Sequence, residues 1–146
     1  MADTCIPYTV AGLTLNEDGE DTLIVEEIDG LDGIPLRRTK PPQGQGDGAI
    51  FLQSKKLFRL VVFRGFVGIS SVEWDPETYG AAYRAAQQTV CDAWISALAG
   101  IENVSGTLAW AAHSLTVYKD AGPYFSGTEF GKKFVFGLYA PNPTIA

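Results

Sequence analysis

The residue types that most often carry out chemistry are few and widely spaced in this chain. His113 is the only histidine, and Cys5 and Cys91 are the only cysteines. No serine or cysteine has the flanking motif of an activated nucleophile, and zinc would have to recruit carboxylates from unconnected places. Because a lone histidine in a predicted strand beside Trp110 is usually structural, the sequence predicts a protein that is not an enzyme and holds no metal.

The carboxylates offer two further kinds of site. Asp29, Asp32 and Asp47 could bind calcium in a loop, but their spacing lacks the Asp-x-Asp-x-Asp-Gly arrangement and its distal Glu. Glu26 and Glu27 could form the acid pair of a glycosidase, but neighbouring residues of a strand point to opposite faces. We therefore expect neither a calcium site nor a glycosidase centre.

The glycine-rich stretch 39–48 could suggest a phosphate site. Gly44, Gly46 and Gly48 alternate there, yet they follow a loop and precede a strand, whereas a phosphate cradle joins a strand to a helix. The same stretch has no apolar side chain able to anchor a core. The sequence thus predicts a long flexible loop and no bound cofactor.

Composition indicates one β-rich domain, residues 1–146, with large contact surfaces. Of the 146 residues, 46% are hydrophobic and 19% are charged, and the charged share lies below the roughly 25% that is usual. The chain also has 16 glycines and 8 prolines, which favour turns between strands.

The net charge of -6 opposes binding of nucleic acid on the outer surface. Acidic residues would instead repel passing DNA. The N-terminus lacks the basic and apolar regions of a secretory signal, and the longest apolar run, residues 60–63, is too short to cross a bilayer. We expect synthesis in the cytoplasm and no membrane contact.

Hydrophobic periodicity divides the chain into five strands and one helix. Residues 8–15 and 22–28 are predicted to pair as a hairpin, and residues 107–119 and 133–140 to form two later strands separated by a loop at 120–131. Asp75, Pro76 and Glu77 predict the start of a helix that ends at Ala99 before Gly100. The pattern indicates a mainly β (α+β) fold, a β-sandwich or split barrel with one packed helix.

The helix and the central strand each carry an apolar pattern. Helix residues at spacings of three and four form the stripe that should face the sheet, with Trp94 and the tyrosines in the core: Tyr79, Tyr83, Ala86, Val90, Ala93, Trp94, Ala97 and Leu98. The strand at 57–69 is apolar on both faces, so both must be covered. The second cover could be the helix or another subunit.

Several segments resemble the N-terminal domain of the distal tail proteins, or minor tail proteins, of long-tailed phages. The segments are Ile-Asp-Gly-Leu-Asp-Gly-Ile-Pro-Leu-Arg-Arg at 28–38, Gln-Gly-Asp-Gly-Ala at 45–49, Arg-Leu-Val-Val-Phe-Arg-Gly at 59–65 and Phe-Val-Phe-Gly-Leu-Tyr-Ala-Pro-Asn-Pro at 134–143. Asn142 departs from the Asp that is common in the family's closing strand. The helix and the strand containing Trp110 fall in the family's order, so the resemblance spans nearly the whole chain.

The resemblance implies a tail-tube-like domain whose copies form a ring, expected to be hexameric, between the tail tube and the tail-tip hub. The implied partners are the tail-tube, tape-measure and hub proteins, with DNA passing through an acid-lined lumen without specific binding. The implied location is the tail tip of the virion, assembled in the host cytoplasm. Many family members carry a second, C-terminal domain that can display carbohydrate-binding modules; the sequence ends at Ala146, just after the closing strand, so host-sugar binding is not expected here.

The polar loop beside a two-faced strand predicts contacts between subunits. The predicted interface residues are Arg37, Arg38, Gln43, Gln45, Asp47, Arg59, Arg64 and Phe66. Three other functions stay open from the residues alone. They are a tail-tube subunit that stacks in many copies, a monomeric carbohydrate-binding β-sandwich using exposed aromatics such as Tyr124 and Phe125, and a small hydrolase.

Overall fold

The computed structural model describes residues 3–33, 36–37, 55–56, 58–128 and 131–146, with 36–37 and 55–56 described by their backbone alone. The predicted loop at 39–48 lies outside these residues. The strands are β1 (Tyr8–Val10), β2 (Leu13–Leu15), β3 (Thr22–Asp29), β4 (Leu36–Arg37), β5 (Lys55–Lys56), β6 (Arg59–Gly68), β7 (Gly106–Trp110), β8 (His113–Thr128) and β9 (Gly131–Ala140). The helix α1 spans Ala81–Ala99.

Seven strands form one antiparallel sheet in the order β2-β1-β7-β8-β9-β6-β3, and β4 pairs with β5. The long strand β8 joins the two halves, because its first part pairs with β7 and its later part with β9. The halves face each other: the ring of Tyr8 on β1 meets that of Phe63 on β6 edge-on at 5.4 Å. The predicted mainly β architecture with one packed helix is confirmed.

The predicted pairing of residues 8–15 with residues 22–28 as a hairpin is wrong. Residues 8–15 contain both strands of a hairpin, β1 and β2, whereas β3 pairs with β6. Ala11 and Gly12 form the turn with positive φ values of 54° and 84°, which suit the right-handed twist of a short hairpin. Asn16 then links the two edges of the sheet, since its backbone N–H donates to Leu23 O at 2.9 Å.

The predicted strand at 107–119 is also a hairpin, β7 and β8. Ala111 adopts a φ of 45° in its turn, a conformation that alanine rarely adopts and that its sequence did not indicate. Beyond Lys119, β8 continues to Thr128 with register shifts near Ala121. Most of the predicted loop at 120–131 is therefore strand.

The helix begins later than predicted. Asp75 caps a short 3-10 turn at Pro76–Thr78, and Tyr79 and Gly80 then take left-handed φ values of 54° and 66°, so α1 starts at Ala81. Its predicted end at Ala99 is confirmed. Tyr79 is 77% exposed, which contradicts its predicted place in the core.

Trp94 does lie in the core, where α1 covers the inner face of the sheet. Its ring stacks on Phe136 of β9 at 5.8 Å, and Phe136 stacks on Phe63 of β6 at 5.2 Å. The helix therefore covers the inner face of β6. Among the described residues, no second layer covers the other face of this strand, where Leu60 and Phe66 are exposed. Among the described residues, no helix has the length and apolar character to cross a membrane.

Candidate functional site

The residue types that could carry out chemistry lie apart in the described part of the chain. His113 is exposed at the start of β8, with its ring 5.7 Å from that of Trp110. No three or more His, Cys, Asp or Glu side chains there come together to hold an ion. Both cysteines are free, and burial raises the pKa of the Cys91 thiol, which opposes a role as a nucleophile.

The most distinctive surface is the outer face of the sheet half formed by β3, β6, β9 and β8. Side chains alternate along a strand, so the register of these strands sets which residues share this face. The term outer face is used below for the surface formed by the apolar and charged side chains of Ile24, Glu27, Asp29, Leu60, Val62, Arg64, Phe66, Tyr118, Tyr124, Lys133, Val135 and Tyr139. It includes the second face of β6, the strand that was predicted to be apolar on both sides.

The outer face exposes several large apolar side chains. Leu60 is 43% exposed, Phe66 41% and Tyr124 63%. Phe58 lies beside it at the start of β6, 46% exposed, with its ring 5.2 Å from that of Tyr139. Several large exposed apolar side chains on one face of a sheet are typical of an interaction surface.

A charged cluster crosses the middle of the outer face. Arg64 of β6 donates from Nη1 to Asp29 Oδ2 of β3 at 2.5 Å, and the same nitrogen lies 4.0 Å from Glu27 Oε2. A register shift between Val25 and Glu27 makes Glu26 a bulge residue, so Glu26 and Glu27 are both exposed instead of pointing to opposite faces. The expected alternation fails at this point.

Beside this cluster, a groove of about 400 Å³ runs between β3 and β8. The carboxylates of Glu26 and Glu27, the guanidinium of Arg64 and the ring of Tyr124 are among the side chains that line it. Charged and aromatic groups therefore alternate across the surface, and a partner would need both apolar and polar complementarity to fit it.

Arg59 points to the other side of β6 and is only 3% exposed. Its Nη1 donates to Gly30 O at 2.6 Å, its Nη2 to Gly33 O at 2.7 Å and its Nε to Pro143 O at 3.0 Å. Burial lowers the pKa of this guanidinium, and the nearby charge of Asp32 opposes that shift. Arg59 thus holds the 30–33 corner and the C-terminal segment within its own chain.

The predicted interface residues separate into three groups. Arg64 and Phe66 share the outer face, whereas Arg59 is buried behind it. Arg37 lies in β4, where its backbone pairs with Lys55 of β5. The remaining predicted residues lie outside the described part of the chain: Arg38, Gln43, Gln45 and Asp47.

Sequence reasoning missed the contribution of β8 and β9 to the outer face. Val135 and Tyr139 alternate with the buried Phe134, Phe136 and Leu138, and this period-2 pattern was visible in the sequence. Tyr124 was noticed only as an exposed aromatic. Its place beside Val135 depends on the extension of β8 through a segment predicted to be loop.

No family model matches this chain. No curated protein matches it either. Among solved structures, the chain is similar to the crystal structure of the SPP1 Dit (gp 19.1) protein, described as a paradigm of the hub adsorption apparatus in phages that infect Gram-positive hosts. The TM-score is 0.66 at 10% sequence identity, over 96% of this chain and 51% of the other.

This similarity shows a shared fold, since the identity is only 10%. The chain spans about half the length of the Dit protein that it matches. The similarity thus agrees with the mainly β architecture and with the order of elements that the resemblance implied.

Proposed function

We propose that this chain is a structural protein of a phage tail, a distal tail subunit whose copies form a ring between the tail tube and the tail-tip hub. The observation that carries the proposal is the fold shared with SPP1 Dit over 96% of the chain. The distal-tail motifs around residues 28–65, read from the sequence alone, support the same role independently.

The outer face supports assembly because it exposes large apolar side chains on both sides of a charged cluster. Leu60 and Phe66 would lose their remaining exposure against a neighbouring subunit, and burying apolar surface is the main driving force of association. Arg64 would set orientation, since a charged group at an interface contributes more to specificity than to affinity. Phe66 and Arg64 are thus retained as interface residues.

The arm at 37–48 is the second proposed contact. Arg37 of β4 pairs with Lys55 of β5, so the two residues that flank the arm lie side by side. We assign Arg38, Gln43, Gln45 and Asp47 of this arm to a neighbouring subunit. The interface role of Arg59 stays a prediction, and it would act by holding the corner beside β4.

The proposed ring is a hexamer in the virion, at the tail tip, assembled in the host cytoplasm. Its partners would be the tail-tube, tape-measure and hub proteins. The lumen would let DNA pass without specific binding, and the net charge of -6 suits that task. The protein would have no catalytic step, no cofactor and no membrane contact.

Two alternative functions would give different experimental results from a distal tail ring. A tail-tube subunit would share this fold but polymerise into long tubes when purified. A carbohydrate-binding monomer is favoured by the groove beside Tyr124, because sugars stack on exposed aromatic rings next to carboxylates and arginine. Binding to a glycan array by a monomer would support it.

Deletion of residues 39–46 tests the proposed arm. Because a ring of this kind can require its tail partners to form, the deletion variant is compared with the intact chain both alone, by light scattering, and for incorporation into tails. We expect loss of assembly with an unchanged melting temperature. Unchanged assembly in both measurements would contradict the proposal that the arm contacts a neighbouring subunit.

A further inference from the structure

A cleft of about 350 Å³ lies between the first half of α1 and the end of the β8–β9 hairpin, away from the outer face. Its lining residues are polar or small: Arg84, Gln87, Gln88, Gly127, Thr128 and Lys132. Such a lining favours a polar or charged occupant over an apolar one.

Gln87 is the unexplained residue of this cleft. It is 0% exposed, and neither its Nε2 nor its Oε1 has a hydrogen-bond partner among the described residues. A buried amide without partners destabilises a fold, so native proteins rarely keep one. Its position in the wall of the cleft indicates that a group from outside completes its hydrogen bonds.

Two cations accompany the amide. Arg84 lies one turn before Gln87 on α1, and its Nε donates to Tyr79 O at 3.1 Å. Lys132 occupies the same face of β9 as the buried Phe134, and its charge acts on the Cys91 thiol of α1. Neither Arg84 nor Lys132 forms an ion pair with a carboxylate of the described residues.

The chain carries a concentrated source of carboxylates in the turn between β2 and β3. We call it the acidic turn: Glu17, Asp18, Glu20 and Asp21. Asp21 is occupied, because its carboxylate accepts from Ser70 N at 2.8 Å and Ser71 N at 2.9 Å. The other three carboxylates belong to exposed residues, so they can reach another molecule.

The acidic turn cannot enter the cleft of its own chain. It lines a different cavity with Thr89 and Ala93 of α1. At about 100° per residue, these two positions lie on nearly the opposite side of the helix from Arg84. The helix therefore separates the turn from the cleft, and only a second copy could bring them together.

We propose that the cleft formed by Arg84, Gln87 and Lys132 binds the acidic turn of a second copy of this chain. Two different surfaces meet in such a contact, so it is heterologous and repeats around a ring. The inference rests on the proposed ring and names one contact within it. Gln87 Nε2 and the two cations would donate to carboxylate oxygens of Glu17 or Asp18.

Charge reversal on each side tests the contact with the full chain. The cleft variant carries R84E and K132E, and the turn variant carries E17K and D18K. In each variant alone, cleft and turn carry charges of the same sign, so copies should repel each other. In the mixture, the basic cleft of the turn variant should bind the acidic turn of the cleft variant. In ¹⁵N-labelled turn variant, we expect the Gln87 side-chain amide signals to shift saturably on addition of unlabelled cleft variant.

The matched control is an unlabelled protein that carries all four changes, because it differs from the cleft variant only in its acidic turn. It should leave the Gln87 signals unmoved. Absence of a shift with the cleft variant up to about 1 mM, which is the weak limit of useful affinity, would overturn the contact. If inorganic phosphate alone shifts the Gln87 signals, the cleft is a general anion site, and the proposal that a second copy supplies the anion is overturned.

Gln87→Met separates a binding role from a structural one. Because the amide has no partner to lose, the apolar side chain of similar length should raise the melting temperature by about 2–4 °C. It should also weaken the mixed association at least about tenfold. Ser96→Met is the control, because Ser96 is an exposed residue of α1 outside the cleft, and this change should alter neither quantity. A lower melting temperature for Gln87→Met would overturn the assignment.

The contact can fail while the proposed function stands. If the R84E/K132E protein still forms a ring in assembled tails, only this contact is overturned. If the unchanged protein is absent from the junction of tube and hub, the proposed function fails instead.

Discussion

The guanidinium of Arg59 donates to the carbonyl oxygen of Pro143 at 3.0 Å, although 84 positions separate the two residues. The same side chain reaches Gly30 and Gly33. A single buried cation therefore joins the corner after β3, the start of β6 and the C-terminal segment. This arrangement fixes the corner at residues 30–33 against the start of β6.

Replacement of Arg59 by methionine should destabilise the fold by at least about 3 kcal/mol, because three carbonyl oxygens lose charge-assisted hydrogen bonds in a buried place. Urea unfolding followed by tryptophan fluorescence measures the change. Arg64→Met is the matched control on the same strand. Its ion pair with Asp29 is exposed, so it should lose less than about 1 kcal/mol. Equal losses would contradict the central role of Arg59.

The Gly30→Ala change should destabilise the protein by about 3 kcal/mol. Gly30 has a φ of 92°, and a Cβ there would lie 1.8 Å from Leu60 O. Gly19→Ala is the control, because Gly19 also has positive φ, 75°, but open space around it. That change should cost about 1 kcal/mol, the strain of the backbone alone. A thermal melt of both variants distinguishes the clash from the strain.

Asp21 should make stability depend on pH in the acid range. Burial alone would raise the pKa of its carboxyl, but hydrogen bonds from Ser71 and Ser70 outweigh it and lower the pKa. A lowered folded pKa stabilises the protein above the unfolded value, near about pH 4. That stabilisation is lost as the pH falls through the folded pKa.

Asp21→Asn should therefore lower stability at pH 7 by about 1 kcal/mol, with a difference that shrinks below about pH 4. Urea titrations of both proteins across this range measure it. Asp18→Asn in the same turn is the control and should shift the curve little. A constant difference at every pH would show that the Ser71 contact does not depend on the charge.

The outer face makes the fourth prediction. The double change Leu60→Thr and Phe66→Thr keeps strand-forming residues but removes the apolar contact, so the protein should fold and fail to enter tails. Mass spectrometry of purified particles gives the incorporated amount. Val104→Thr changes an apolar residue that is 68% exposed elsewhere, and it should incorporate normally. Normal incorporation of the double variant would exclude the outer face from assembly.

The sequence predicted the mainly β fold, the helix and the bounds of β3, β6 and β9 to within two residues, because hydrophobic periodicity is local information. It identified β6 as apolar on both faces, and the structure leaves its outer side exposed. It did not predict which strands pair. The hairpin of β1 and β2 turns at Ala11 and Gly12, where only Gly12 is a residue typical of turns, and β3 pairs with the distant strand β6.

The candidate sites were less visible in the sequence than the fold. Arg59 and Arg64 lie five positions apart and face opposite sides of one strand, and only the register shows that one is buried against carbonyl groups. Gln87 looked like an ordinary polar helix residue. Its burial beside Thr128 and Lys132 is a tertiary property without a local signature.

Cryo-electron microscopy of the particle that contains this protein gives its copy number and its level along the tail, and so tests the proposed ring. We expect a single ring at the junction of tail tube and hub, with the outer face of each subunit covered by its neighbour. Stacked copies along the tube, or absence of the protein from the tail, would contradict it.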